Sequence, residues 1–460
     1  MTQTAFSSLP LQPALLNNLS SLGYTCMTPI QAQSLPAVLA GRDLIGQGKT
    51  GSGKTAAFAL GILHKLDSRR FRVQALVLCP TRELADQVAT EIRRLARTIP
   101  NIKVLSLCGG SAPGPQAASL EHGAHIVVGT PGRLQDHLNR GNLSLQDVNM
   151  LVLDEADRML EMGFQSELDA LMDALPARRQ TLLFSATYPP RIRAIAERFM
   201  QQPLTAGADA GHDNNSIEQH FYPVTEAQRG EALQRLLLSF RPASCVVFCN
   251  TKATAQDLSD ELEQAGFSAT SLHGDLEQRE RNETLVRFAN GSVAILVATD
   301  VAARGLDIDT IKAVINYEIA RDPEQHLHRI GRSGRAGNTG LALSLFSEKE
   351  AGKLALLDAD IDPLRQSEAL PAAADLDRTP IRAGMLTLQI DAGKKHKLRP
   401  GDVLGALTGE GGLDGRQVGK IRVFDRWTYV AVDKNAAAQA LDKLNNDKLK
   451  GRHFRVRRVN

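Results

Sequence analysis

Between Gly46 and Thr55 the chain reads Gly-Gln-Gly-Lys-Thr-Gly-Ser-Gly-Lys-Thr, a G-x-x-x-x-G-K-T loop that follows an apolar run and opens an Ala-rich helical segment. No other stretch constrains the fold as far, because such a loop works only where a strand hands over to a helix. Its glycines let successive backbone N–H groups curl around a phosphate. Gly48, Lys49, Thr50, Gly51, Ser52 and Gly53 are expected to line that cradle, with Lys54 reaching the terminal phosphates and the Thr55 hydroxyl able to ligate magnesium. Further on, the apolar run Met150-Leu-Val-Leu153 leads into Asp154-Glu155-Ala156-Asp157. A nucleotide hydrolase needs that acidic pair, Asp154 toward magnesium and Glu155 toward the attacking water. The chain therefore reads as an ATPase that uses ATP and Mg2+.

At 460 residues with 43% apolar content, the chain is long enough for about three domains. Short apolar runs recur with helical patterns between them: Ala75–Cys79, Ala124–Val128, Met150–Leu153 and Thr181–Phe184. That rhythm predicts a parallel α/β sheet, with polar clusters at the carboxyl ends of its strands, where such sheets bind ligands. Residues 206–216, rich in small and polar residues, read as a linker. A second α/β series follows, with Cys245–Phe248, Ala269–Leu272, Val293–Val297 and Ala313–Asn316, and it has no phosphate loop of its own. After a second break at 367–380 comes a small unit whose pattern is βαββαβ, with strands at Met385–Ile390, Val418–Val423, Trp427–Val432 and Phe454–Val459 and helices at Arg399–Thr408 and Asn435–Leu444. The expected division is 1–205, 217–366 and 381–460, joined by those two linkers.

Charge is uneven. Residues 379–460 hold 17 Lys+Arg against 8 Asp+Glu, whereas 1–378 hold 37 against 43. A basic appendage on a mildly acidic body points to a polyanion. The five cysteines, Cys245 and Cys249 among them, read as reduced thiols and not as a disulfide framework. No apolar run is long enough to span a bilayer, and Met1 to Pro10 has no charged segment followed by an apolar core, so a cytoplasmic protein is expected.

Taken in order, the strand-end clusters resemble the motif set of the DEAD-box ATP-dependent RNA helicases. The motifs that carry the likeness are the phosphate loop, Asp-Glu-Ala-Asp, Ser185-Ala-Thr187 and His328-Arg-Ile-Gly-Arg-Ser-Gly-Arg335. The resemblance implies two tandem RecA-like parallel-sheet domains followed by a small α+β RRM-like domain. It implies that Gln31, in Gly23-Tyr-Thr-Cys-Met-Thr-Pro-Ile-Gln31, reads the adenine edge while Tyr24 and Phe6 stack on the base. Met27 and Gly48 depart from the family's usual Pro and Ala without removing a donor or a charge. Arg332 and Arg335, with His328 beside them, match the arginine-finger segment, and Gly305 and Asp307 fall at positions on the nucleotide's ribose side.

RNA contacts are implied in the same way. Pro80, Thr81, Arg82, Gly109, Gly110, Thr130 and Arg133 match first-domain motifs that grip the sugar-phosphate backbone, and Asn250, Thr251, Gln278, Arg281 and Thr299 match second-domain ones. In the tail, Trp427 and Tyr429 share one strand face and are expected to point outward as a stacking platform, with Lys394, Lys395, Lys397, Arg455 and Arg457 on phosphates. The tail resembles a bacterial branch of the family that recognises a hairpin in 23S ribosomal RNA during large-subunit assembly. RNA is thus the expected partner, with no membrane and no DNA, and a monomer is favoured. A DNA translocase and an RNA clamp that separates no strands are the competing readings.

Overall fold

The computed structural model describes residues 4–48, 51–207, 217–303, 311–333, 340–354, 356–357, 366–372, 376–380 and 382–459. Lys49, Thr50, Gly305, Asp307, Arg335 and most of the 206–216 linker lie outside the described residues.

Three sheets organise the chain. The first takes Leu44–Gln47 (β1), Ala75–Leu78 (β2), Val104–Leu107 (β3), Ile126–Gly129 (β4), Met150–Asp154 (β5), Gln180–Ser185 (β6) and Leu204–Ala206 (β7). Its order is β3-β4-β2-β5-β6-β1-β7, and every pairing is parallel. β2, β4, β5 and β6 are buried along their whole length, as strands covered by helices on both faces must be. The second sheet uses Ile217–Pro223 (β8), Cys245–Cys249 (β9), Ala269–Leu272 (β10), Ile295–Thr299 (β11), Ala313–Asn316 (β12) and Gly340–Phe346 (β13). It is also parallel throughout, in the order β10-β11-β9-β12-β13-β8. Cys245 and Cys249 lie at the two ends of β9, where burial pushes both thiols up.

The small C-terminal sheet is antiparallel, Met385–Ile390 (β14), Val418–Val423 (β15), Thr428–Asp433 (β16) and Val456–Val459 (β17), ordered β15-β16-β14-β17. Helices Pro400–Thr408 and Ala437–Asn446 pack on one face through Val403, Leu407, Ala440 and Leu444. The first sheet belongs to one compact unit, and the second and third sheets share another. Within the segment read as the second linker, Ser367 bridges to Phe221 on β8, and Leu370 and Leu376 pack on the second core.

The other face of the small sheet is not open. Helix Gln278–Ala289 of the second α/β domain lies against it, and Val286, Tyr429 and Val459 form a shared cluster flanked by Phe424 and Trp427. The Tyr429 hydroxyl donates to Glu283 at 3.2 Å, Asn290 Nδ2 donates to Thr387 Oγ1 at 2.9 Å, and the Arg279 guanidinium sits 5.5 Å from the Trp427 ring centroid. The expected outward stacking platform is corrected by this packing. Tyr429 and Trp427 do share a face, but Tyr429 is 0% exposed and its ring is spent on the neighbouring domain.

Candidate functional site

β1 runs into the glycine-rich loop, and the helix Lys54–Lys65 begins at Lys54. Gly51 and Gly53 hold φ of 86° and 97°, a left-handed backbone that L side chains disfavour. A Cβ on Gly53 would also lie 2.4 Å from Gln31 Nε2. That Gln31 amide is buried, accepting from the Thr28 N–H at 2.9 Å and donating to the Gly53 carbonyl at 3.0 Å, while the Thr28 hydroxyl donates to the Ser52 carbonyl at 2.8 Å. The residue expected to read adenine is therefore wired to the phosphate cradle itself. Lys54 is buried and its Nζ donates to the Gly48 carbonyl at 2.6 Å, which aims the ammonium into the loop. The Ser52 hydroxyl is buried with no partner among the described residues, a further polar group turned into the cradle.

Asp154 ends β5 and is 3% exposed. Burial pushes its carboxyl up to about 7 against the pull of Lys54, and Glu155 and Asp157 push the same way. A desolvated carboxylate with a hydroxyl at Thr55 is a hard oxygen donor set, so these residues fit magnesium. Glu155 follows with φ of 50°, an uncommon conformation for a residue with a side chain, and its N–H donates to Asp154 Oδ1 at 3.1 Å. The last Asp of the motif, Asp157, accepts from the Thr187 N–H and hydroxyl at 3.2 and 3.0 Å. Gly48 N–H donates to the Ser185 carbonyl at 3.1 Å. The Ser185-Ala-Thr187 strand end thus touches both the cradle and the acidic motif.

At the expected adenine end, Phe6 is 2% exposed and meets Tyr24 edge-on at 6.1 Å. Its ring belongs to the first core, which corrects the reading of Phe6 as a freely offered stacking face. Tyr24 is half-buried, its hydroxyl donates to Glu91 at 2.8 Å, and burial with that bond pushes the phenol up to about 12.

The first-domain RNA candidates converge at the carboxyl ends of β2, β3 and β4. Pro80 and Thr81 are buried, and Thr81 caps the helix Arg82–Leu95 through Leu84 N–H at 3.3 Å. The Arg82 guanidinium lies so close over Gly110 that a Cβ there would sit 1.5 Å from Nη2, and Gly109 precedes it in the same loop. Thr130 closes β4, and Arg133 donates to the Ser111 carbonyl at 3.1 and 3.0 Å and to Gln116 Oε1 at 3.0 Å. Gln116, which also meets His137 Nε2 at 3.0 Å, is a positioning residue for Arg133 that sequence reasoning missed. A lone glutamine on a short helix carries no signal without the fold.

In the second domain Thr251 caps the helix Lys252–Gln264, Gln278 and Arg281 lie in the first turn of Gln278–Ala289, and Thr299 ends β11. Asn250 is committed internally: it donates to the Ile319 carbonyl at 3.1 Å and accepts from Arg329 at 2.8 Å. Arg329 is the residue overlooked in the sequence. It is 1% exposed, grips both oxygens of Asp300 at 2.7 Å, and donates to the Glu318 carbonyl at 2.6 Å. It thereby ties the segment bearing His328 and Arg332 to β11 and β12. Arg332 is itself 5% exposed, just past the helix Pro323–Ile330. In the tail Lys394, Lys395, Lys397, Arg455 and Arg457 are all exposed, and Arg457 also donates to Gln389 at 2.9 Å.

Comparison with known proteins agrees with this geometry. Residues 28–195 match the DEAD/DEAH box helicase family, 228–337 the helicase conserved C-terminal domain, and 387–458 the DbpA RNA binding domain. The chain is 55% identical over 455 residues to the ATP-dependent RNA helicase DbpA of Escherichia coli, covering 99% of each. It is 45% identical over 352 residues to the DEAD-box ATP-dependent RNA helicase CshA of Bacillus cereus, covering 76% of this chain and 67% of the relative. Among solved structures, S. cerevisiae Dbp5 bound to RNA and ADP BeF3 superposes with a TM-score of 0.72 at 30% identity, over 81% of this chain and 97% of that one. With its cradle, acidic motif and strand-end arginines in the same order, the chain belongs to the DEAD-box RNA helicases, enzymes that hydrolyse ATP in an RNA-stimulated way.

Proposed function

We propose that this helicase opens short RNA duplexes locally and is directed by its C-terminal domain to 23S ribosomal RNA in the assembling large ribosomal subunit, in the cytoplasm of a bacterium. The observation that carries the reading is the basic third domain, seated on the helix that bears Gln278 and Arg281. Its match to the DbpA RNA binding domain and the full-length likeness to DbpA support the choice of target.

Lys54 and the loop N–H groups hold the triphosphate, and Glu155 orients the attacking water. Thr55 and Asp154 would hold magnesium, which when bound would supply charge neutralisation on the phosphoryl oxygens. Arg332 and Arg335, with His328 beside them, supply the remaining positive charge, a contribution on the order of 10³ to 10⁵ in rate for arginine fingers. Backbone contacts from Arg82, Arg133 and the loop amides hold one strand without reading its sequence. ATP and RNA each favour closure of the two domains, so each strengthens binding of the other.

The test compares RNA-stimulated phosphate release and ATP-dependent duplex melting in wild type and Glu155→Gln. Equal turnover in the two would remove the catalytic assignment. Turnover without strand displacement would leave an RNA clamp, and equal stimulation by DNA would favour a translocase. Removing residues 379–460 should leave a weaker ATPase with no preference for ribosomal RNA.

A further inference from the structure

The connector between the helix Lys54–Lys65 and β2 carries Arg69, Arg70, Phe71 and Arg72, all exposed, with Phe71 at 47%. An exposed aromatic among three guanidiniums is unexplained by the catalytic chemistry, and the loop that presents it is built. Gln74, 4% exposed, donates from Nε2 to the carbonyls of Asp67 and Arg70 at 2.8 Å each and accepts from the Asp67 N–H at 3.0 Å. His125 is 0% exposed: its Nδ1 accepts from the Lys103 N–H at 3.1 Å, leaving Nε2 to donate to the Ser68 carbonyl at 3.1 Å. The Phe71 ring rests on that imidazole with centroids 4.5 Å apart. Gly123 lets the chain pass, since a Cβ there would lie 2.8 Å from the Phe71 carbonyl. Two buried polar side chains thus pin a turn that begins at the exposed Asp67 and then projects three cations and an aromatic ring.

Charge partners are sparse. Arg70 pairs with Asp147 at 2.9 Å, and Asp67 accepts the Arg69 N–H at 3.0 Å, but among the described residues the guanidiniums of Arg69 and Arg72 have no ion pair. The connector lies at the amino-terminal edge of a parallel sheet whose carboxyl edge carries the phosphate loop and the strand-gripping residues. Strands of four to six residues hold those edges roughly 13–20 Å apart.

We propose that Arg69, Phe71 and Arg72 form an accessory RNA anchor, which takes a single-stranded flank of the same RNA molecule whose target segment occupies the strand-end surface. Phosphates meet the two unpaired guanidiniums and an unstacked base lies on the free face of Phe71. The anchor goes beyond the helicase activity, since it touches no reacting atom. It lengthens the footprint on a long transcript and adds no sequence specificity.

The test measures the salt dependence of binding to a long ribosomal RNA fragment and to an oligonucleotide short enough to fill only the strand-end surface. For the long RNA, Arg69→Gln with Arg72→Gln makes the log–log salt slope shallower by roughly 1.4, and Phe71→Ala lowers affinity on the order of tenfold. Short-oligonucleotide binding and unstimulated ATP hydrolysis stay at wild-type levels in both variants. An unchanged slope and affinity for the long RNA would overturn the proposal. So would a loss of polyglutamate binding in the variants with RNA binding intact, which would mark the loop as a seat for an acidic protein.

Discussion

Replacing Val286 by aspartate separates the third sheet from the helix that covers it. Val286 is 4% exposed and packs against Tyr429 and Val459, at 0% and 9%. Burying a valine side chain contributes about 1.5–3 kcal/mol. A carboxylate in its place would also have to be desolvated one turn from Glu283, which costs several kcal/mol more. The polar links across the seam come to about 3.5–5 kcal/mol together, less than the lost packing plus the desolvation: about 1.5–3 kcal/mol for the Tyr429 hydroxyl on the Glu283 carboxylate, about 1 for Asn290 on Thr387, and about 1 for Arg279 over Trp427. The variant therefore undocks the domain. Val286→Ala removes two methyl groups, about 1.6 kcal/mol, and lowers the docking constant roughly 15-fold. Trp427 is the chain's single tryptophan and stands half-buried at this seam, so its fluorescence reads docking directly. Val286→Asp should shift the emission toward that of a water-exposed indole. The domain's own core of Leu388, Ile390, Val430 and Leu444 lies on the opposite face, and its unfolding transition should persist. Unshifted emission, or a shift accompanied by loss of that transition, would refute the reasoning.

Arg329→Met leaves the half-buried Asp300 without its cation and should destabilise the second domain by about 3 kcal/mol in denaturant unfolding, with Arg329→Lys losing less because the charge remains. Gly53→Ala forces a side chain into a φ of 97° and against Gln31, so equilibrium dialysis should show ATP affinity falling at least tenfold with the fold's melting temperature little changed. His326 is 1% exposed, and burial lowers its pKa from 6.5 to about 4, with Arg329 adding to the effect. The unfolded chain takes up a proton below pH 6.5 that the native state refuses until about pH 4. Stability is therefore full above pH 6.5 and declines as pH falls through that window, by roughly 3 kcal/mol in all. His326→Gln should flatten that slope when thermal unfolding is followed from pH 7 to 4.

The parts of the site legible in the sequence were those whose chemistry depends on local spacing. The glycines at 51 and 53, Lys54 and the acidic run at 154–157 act within one turn of backbone, so their order alone predicts where each group points. Strands such as Ala269–Leu272, Ala313–Asn316 and Met385–Ile390 fall where apolar runs place them, because a buried parallel strand or an alternating face leaves a local pattern. Arg329 and Gln116 were not legible, since each acts on residues distant in the chain: Arg329 on Asn250 and Asp300, Gln116 on Arg133. Phe6 was misread for the same reason. Its aromatic ring signals stacking, but what it meets is the edge-on ring of Tyr24 and the side chains of the first core.

Tyr429 shows most clearly what spacing leaves undecided. Alternation correctly put Tyr429 on the face opposite Val430 and Val432, yet alternation says nothing about what covers a face. The cover comes from the helix Gln278–Ala289. Gln278 and Arg281 stand in its first turn among residues matching RNA-gripping motifs, while Arg279, Glu283 and Val286 project to the small sheet. Residues i, i+4 and i+7 on a helix share one stripe, which is the relation of 279, 283 and 286. The stripe is mixed, Arg-Glu-Val, so no apolar periodicity betrays it, and its partner face is mixed in the same way, with Trp427 for the arginine, the Tyr429 hydroxyl for the glutamate and the Tyr429 ring for the valine. Complementarity of that kind is legible only once both surfaces are known. It also means that the RNA recognition proposed for the third domain would draw on groups off this face, and Lys394, Lys395, Lys397 and Arg455 are among its exposed cations.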